Sequence, residues 1–155
     1  MTETPLDARA AQALAEAVAE AMWSRDRAAQ ALGMRIDSVA PGRATLSMPV
    51  RSDMVNGHHI CHGGLIFSLA DTAFAYACNA YNLNTVASGC NIDFVAPGKE
   101  GDTLQATAVE RSRSGRTGVY DVTVRDSAGK DLALFRGKSY RIAGEVIAGL
   151  AADQR

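Results

Sequence analysis

A chain of 155 residues, 47% hydrophobic and 21% charged, carries enough apolar material for one domain with its own core. Sixteen Lys and Arg against seventeen Asp and Glu leave a formal net charge of -1, without the positive excess of a general nucleic-acid binder. No apolar run reaches the roughly 18 residues of a membrane helix, Glu3, Asp7, Glu16 and Glu20 are unlike a signal peptide, and Cys61, Cys78 and Cys90 cannot all pair, so a reduced, cytoplasmic protein is expected.

Apolar residues at Leu6, Ala10, Leu14, Val18, Met22, Ala29 and Leu32 predict an amphipathic helix over about 6–32, which Arg25-Asp26-Arg27 could split. Thr4-Pro5-Leu6-Asp7 supplies a hydroxyl cap, a first-turn proline and an acid facing the positive helix end, and Gly33 supplies a stop. Strands are expected over 34–40 and 43–50, joined at Pro41-Gly42, with Ala44, Leu46, Met48 and Val50 on one face of the second. A polar loop covers 51–62 and a second helix covers 63–81. Four more strands, 85–96, 103–113, 117–126 and 132–142, are divided by Pro97-Gly98, Ser114-Gly115 and Ala128-Gly129. Consecutive strands with short turns make an antiparallel sheet. The second helix is apolar nearly all round, so it must be buried on most sides. A sheet curled about it places the fold in the α+β class.

Within that helix stands Asp71, with no other Asp, Glu, Lys or Arg between Asp53 and Asp93. A carboxylate there loses water, which raises its pKa unless donors hold the charge. A buried acid paired with a distant arginine is the plain alternative. His62-Gly63-Gly64 opens the same helix, where free amides and the helix dipole suit an oxyanion or a polarised carbonyl oxygen. Asn56 adds an uncharged polar group upstream that could orient water or a carbonyl. Eight residues from Gly63 to Asp71 are roughly 12 Å of helix axis. Both groups must approach one reacting carbonyl within about 3 Å. Acting together, they would come from different subunits of a homodimer with two shared sites.

His58, His59 and His62 with Cys61 raise a zinc reading. Asn56-Gly57 argues against the helical spacing that would align His58 with His62, so no metal site is expected. Between 111 and 141 eight cations face three carboxylates, and the hairpin tip Ser114-Gly115-Arg116-Thr117 is the best phosphate contact. No glycine-rich nucleotide loop and no G-x-S-x-G elbow occurs, and Ser68, one turn before Asp71, has no histidine in the helix to activate it.

The segment DMVNGHHICHGGLIFSLADTAFAYACN, with VASGCNIDFVAPGKEGDTLQATA, TGVYDVTV and LFRGKSYRI, resembles hotdog-fold acyl-CoA thioesterases of the phenylacetate-degradation (PaaI) type over roughly 15–142. The resemblance implies a hotdog domain over 34–142, preceded by a helical segment over 1–33 and followed by a tail, 143–155, that has no counterpart in the family pattern. It implies Asp71 as general base or nucleophile, the Gly63 amide on the thioester carbonyl, His62 shaping that turn and Asn56 near the same oxygen. Substrate contacts are expected at Gly64, Phe67, Ser68 and Ser88 and at Ser114, Gly115, Arg116 and Thr117. Phe67, Phe74 and Tyr76 are candidates for choosing the acyl group, with phenylacetyl-CoA or a ring-hydroxylated relative as substrate. The His58-His59 pair departs from the family pattern, which points to a smaller second residue. The family works at dimer interfaces, its dimers usually pair into tetramers, and it needs no metal or organic cofactor, coenzyme A being part of the substrate. No nucleic acid or membrane partner is implied. The competing readings are a hotdog hydratase or dehydratase, and an acyl-CoA sensor without turnover.

Overall fold

The computed structural model describes residues 7–154. Asp7 caps helix α1 (Ala8–Trp23), its Oδ1 accepting from the Ala10 N–H at 2.8 Å. It thereby takes the role expected of Thr4; Thr4, Pro5 and Leu6 lie outside the described residues. The single helix of the sequence reading is two, because Asp26 turns the chain and caps α2 (Arg27–Ala31) by accepting from the Ala29 N–H at 3.2 Å. Gly33, at a φ of 71°, ends this segment in the left-handed region that favours glycine.

Six strands follow: β1 (Arg35–Ala40), β2 (Arg43–Pro49), β3 (Thr85–Phe94), β4 (Thr103–Ser114), β5 (Thr117–Arg125) and β6 (Asp131–Arg141). They pair antiparallel throughout in the order β1-β2-β4-β5-β6-β3. Between β2 and β3 the chain makes a short 3-10 turn at Ser52–Met54 and then helix α3 (Gly63–Asn79). α3 stops two residues before the expected end. The Asn79 amide group donates to the carbonyls of Ala75 and Thr85 and its Oδ1 accepts from the Thr85 N–H, drawing the chain into β3. β3 likewise ends at Phe94 rather than 96, as Val95 and Ala96 both turn their N–H groups to the Leu132 carbonyl.

The inward residues of β2, Ala44, Leu46 and Met48, are buried as their alternation requires, and α3 lies across them. Ala70, Ala73 and Ala77 are buried on α3 and let it approach the sheet closely, while Leu69 and Phe74 fill the space between. Each large side chain so buried contributes about 1.5–3 kcal/mol. Phe74 lies against Gly137 of β6, where an added Cβ would come within 2.8 Å of the ring. Gly137→Ala is therefore expected to cost about 1–3 kcal/mol, read as a lowered midpoint in urea with the same slope.

Two features stay uncovered. β3 is an edge strand, and Phe94 with the following Val95 are 53% and 54% exposed at its end. Beside it, a stripe of α3 through Gly64, Phe67, Ser68, Asp71, Thr72 and Ala75 is only partly shielded. The tail beyond β6 folds back against the turn after α3. Asn82 there donates to the carbonyls of Ile147 and Leu150 and accepts from the Ile147 N–H, and the Asp153 N–H donates to the Tyr81 carbonyl. Among the described residues no helix is long and apolar enough to cross a membrane.

Candidate active site

The loop before α3 is closed by a bridge between Val55 and Cys61. Inside it, Asn56 Oδ1 accepts from the N–H groups of His58 at 3.0 Å and Ile60 at 3.4 Å. Those bonds fix which end of the Asn56 amide points into the loop, and among the described residues its NH2 group stays an unspent donor. His62 caps α3, its Nδ1 accepting from the Gly64 N–H at 3.0 Å. This separates the two glycines: the Gly64 amide is used within the cap, whereas the Gly63 N–H has no partner among the described residues. Asn56 and Gly63 line one cleft of about 430 Å³, walled by Ile60, Ile66, Phe94 and Pro97. Two donors at the edge of an apolar cleft, one of them at a helix N-terminus, can polarise a carbonyl whose acyl group fills that cleft.

Asp71 lies two turns along α3 on the partly shielded stripe, and its carboxyl has no hydrogen bond or ion pair among the described residues. Burial pushes its pKa above the ordinary 3.8. Among the described residues no cation meets it, so no ion pair accounts for its place in the helix. The unbroken helix keeps Asp71 about 12 Å of axis away from Gly63. Within one chain the Asp71 carboxyl and the Gly63 N–H thus lie at different places.

The remaining expected contacts divide. Phe67 packs edge-on against Phe135 with ring centroids 5.4 Å apart, and Ser68 Oγ donates to the Gly64 carbonyl on the same stripe as Asp71. Ser88 sits on the exposed face of β3 at a bulge, donating to the Lys138 carbonyl at 3.2 Å. Phe74 and Tyr76 do not reach a surface: both are 1% exposed, and the Tyr76 hydroxyl donates to Asp26 Oδ2, which ties α3 to the start of α2. An all-round apolar helix turns some of its aromatics into the core, and these two face that way. His58 and His59 are exposed at the loop tip, Cys61 is buried, and no three His, Cys, Asp or Glu side chains converge as metal ligands among the described residues.

At the other end of the sheet, Gly115, Arg116 and Thr117 line a cavity of about 390 Å³ with Arg113 and Arg141. Ser114 lies beside it, its carbonyl accepting from Thr117 Oγ1. The Arg113 guanidinium stacks 3.7 Å from the centroid of the Tyr81 ring and lies 3.9 Å from Glu110. Glu110 Oε2 also accepts from the hydroxyls of Tyr81 at 2.9 Å and Tyr120 at 2.7 Å. Burial first, and then the Glu110 charge, push the Tyr81 phenol up to about 12, so it remains a donor. Sequence reasoning missed Phe94, and it counted Arg113 and Arg141 among the eight cations of 111–141 without singling them out. The run Asp93-Phe94-Val95-Ala96, where apolar residues stop alternating at a strand end, is the local signal for the first.

Residues 58–133 match the family model of the Thioesterase superfamily. Over 128 residues the chain is 54% identical to the acyl-coenzyme A thioesterase PaaI of Escherichia coli, spanning 83% of this chain and 91% of that one. The solved structure of the E. coli PaaI protein from the phenylacetic acid degradation operon aligns with a TM-score of 0.85 at 52% identity, covering 86% of this chain and 97% of that one. A mutant of the phenylacetic acid degradation protein PaaI from Thermus thermophilus aligns with a TM-score of 0.71 at 39% identity, covering 74% of this chain and 97% of that one.

Proposed function

The chain belongs to the thioesterase superfamily and has its hotdog fold, and we propose that it hydrolyses phenylacetyl-CoA or a ring-hydroxylated relative to the free acid and CoA. The observation that carries the mechanism is the half-buried Asp71 carboxyl, without a partner among the described residues, held about 12 Å of helix axis from the Gly63 amide, which has none there either. A second copy of the chain resolves that separation. Two β3 edges joined side by side would cover the exposed stripe of α3 and bring Asp71 of one subunit to the partner subunit's Gly63 and the partner's Asn56. Leu134, Tyr140 and Ile142, exposed on and just after β6, are available for dimers to pair into a tetramer.

The chemistry then needs little more. The thioester oxygen accepts from the Gly63 N–H and the Asn56 amide, which draws charge off the carbonyl carbon. Asp71 takes a proton from water as its oxygen bonds to that carbon. The tetrahedral intermediate collapses by breaking the C–S bond, and the proton on Asp71 passes to the departing thiolate. A base with a raised pKa accepts that first proton more readily at neutral pH. The aryl group occupies the cleft beneath Phe94, and the phosphates of coenzyme A reach the hairpin at Ser114–Thr117. Coenzyme A is part of the substrate, and no other cofactor enters these steps. With its three thiols free, the enzyme suits the reducing cytoplasm.

Steady-state hydrolysis of a panel of CoA esters, followed by thiol release, tests the reading. Phenylacetyl and hydroxyphenylacetyl esters should turn over faster than acetyl or long-chain ones. Tight binding of every ester with hydrolysis of none would overturn it in favour of a sensor. Phe94→Ala should lower kcat/KM for phenylacetyl-CoA about tenfold relative to acetyl-CoA, the scale of one lost apolar contact. An unchanged ratio would remove this cleft as the acyl site.

A further inference from the structure

We infer that the C-terminal segment 143–154 is a substrate-selecting element, in which Gln154 positions Arg141 over a basic cavity that receives the 3′-phosphate of coenzyme A. The inference rests on the acyl-CoA reading above and narrows it, since it distinguishes coenzyme A from carriers that share only its pantetheine arm.

The cavity is built from distant parts of the chain. Arg113 comes from the end of β4, Arg116 from the hairpin, Arg141 from the end of β6, and Gln154 from the tail. Its floor includes Ser139, which is 4% exposed and whose hydroxyl has no hydrogen-bond partner among the described residues. A hydroxyl so deeply set in the lining of a cavity is completed by a ligand or water. Gly118 keeps the space over that hydroxyl open, for a Cβ there would come within 2.6 Å of Ser139 Oγ.

The charges match one kind of guest. Of the three guanidinium groups, Arg113 is shared with Glu110, while Arg116 meets no carboxylate among the described residues and Arg141 meets only the neutral Gln154 Oε1 at 3.3 Å. Among the described residues two cations thus have no carboxylate partner, against the roughly -1.5 to -2 charge of a phosphate monoester at neutral pH. A neutral amide is suited to that place, because it holds Arg141 without cancelling its charge. The tail is anchored for this purpose by Asn82 and by the Asp153 N–H, so Gln154 is presented by a fixed segment. Cys78 also lines the cavity and lies about 10 Å along the helix axis from Asp71, so α3 runs from that carboxyl to the cavity.

The test compares phenylacetyl esters of CoA, of dephospho-CoA and of pantetheine on the wild-type protein and on Gln154→Ala and Gln154→Glu. Gln154 is exposed, so both variants keep the fold, which deletion of the tail would put at risk. In the wild type, removing the 3′-phosphate should raise KM about tenfold with little change in kcat. Gln154→Ala should raise KM for the CoA ester about fivefold and shrink the difference between CoA and dephospho-CoA. Gln154→Glu still offers Arg141 an acceptor, so a packing role would leave it like the wild type; a phosphate site predicts a larger KM rise than for Ala. Equal KM values for CoA and dephospho-CoA esters, or a Glu variant indistinguishable from wild type, would overturn the inference. Should no ester be hydrolysed at all, the thioesterase reading itself fails, and calorimetric binding of adenosine 3′,5′-bisphosphate still decides the cavity: binding weakened in Gln154→Glu supports it, and no binding to the wild type ends it.

Discussion

Asp71→Asn is expected to lower kcat/KM for phenylacetyl-CoA by about a thousandfold or more, the range lost with a positioned general base, while the melting temperature stays level or rises. Asn preserves shape and polarity but cannot take the proton of the attacking water, so the loss should fall on kcat with KM nearly unchanged. The stability side follows from the direction of the pKa shift. Burial raises the folded-state pKa of Asp71 above the ordinary 3.8, so the protonated form suits the fold better than the ionised one. Its contribution to stability is fully present below 3.8 and is lost as the pH rises through the folded pKa. At neutral pH the wild-type protein therefore carries an ionised carboxylate that the fold disfavours, and the Asn variant does not. The variant's advantage in melting temperature should shrink toward low pH. The activity of the wild type should show an acidic limb above the usual carboxylate range, absent from the variant's residual rate. A loss of activity accompanied by a loss of stability would instead identify Asp71 as a structural acid.

What the sequence allowed one to read, and what it did not, depends on how far apart the cooperating residues lie. The inward face of β2 is legible because alternation is a local pattern. Asp71 is legible because a lone charge in an apolar helix is a local contradiction, and the amides at Gly63 because a helix start always leaves donors free. The break at Asp26 is half-legible: charge and turn propensity mark it, but only the side-chain cap on Ala29 decides it. Phe94 reaches the cleft because the following loop passes beside the site, where the Cys61 N–H donates to the Gly98 carbonyl. That contact joins residues far apart in the chain and leaves no periodic trace. The same holds for Arg113, Arg141 and Gln154, which only the pairing of β4, β5 and β6 and the anchoring of the tail by Asn82 bring together. Phe74 and Tyr76 show the converse limit. In a helix apolar on nearly every side, composition does not say which aromatics face the sheet and which face a ligand.

Mixing two inactive variants should restore activity. Asp71→Asn removes the base and keeps the carbonyl-polarising amide. Gly63→Val keeps the base, but its side chain enters the space beside Phe94, where even a Cβ would lie 3.1 Å from the ring. Each variant alone forms dimers in which both sites are defective. In a hybrid, one site joins the intact Asp71 of the second chain to the intact Gly63 of the first, and the other site gathers both defects. Random reassortment makes about half of the dimers hybrids with one working site in two, so about one quarter of the wild-type activity should return. Were Asp71 and Gly63 to serve one reaction within a single subunit, no combination would contain both intact, and mixing would restore nothing. The two variants are unfolded and refolded together, or co-expressed with different affinity tags so that hybrids can be isolated, and the activity of the mixture is compared with that of each variant. The roughly 12 Å of α3 between the two residues is what makes recovery the expected result: if both act on one carbonyl, as proposed, a second chain must close that distance.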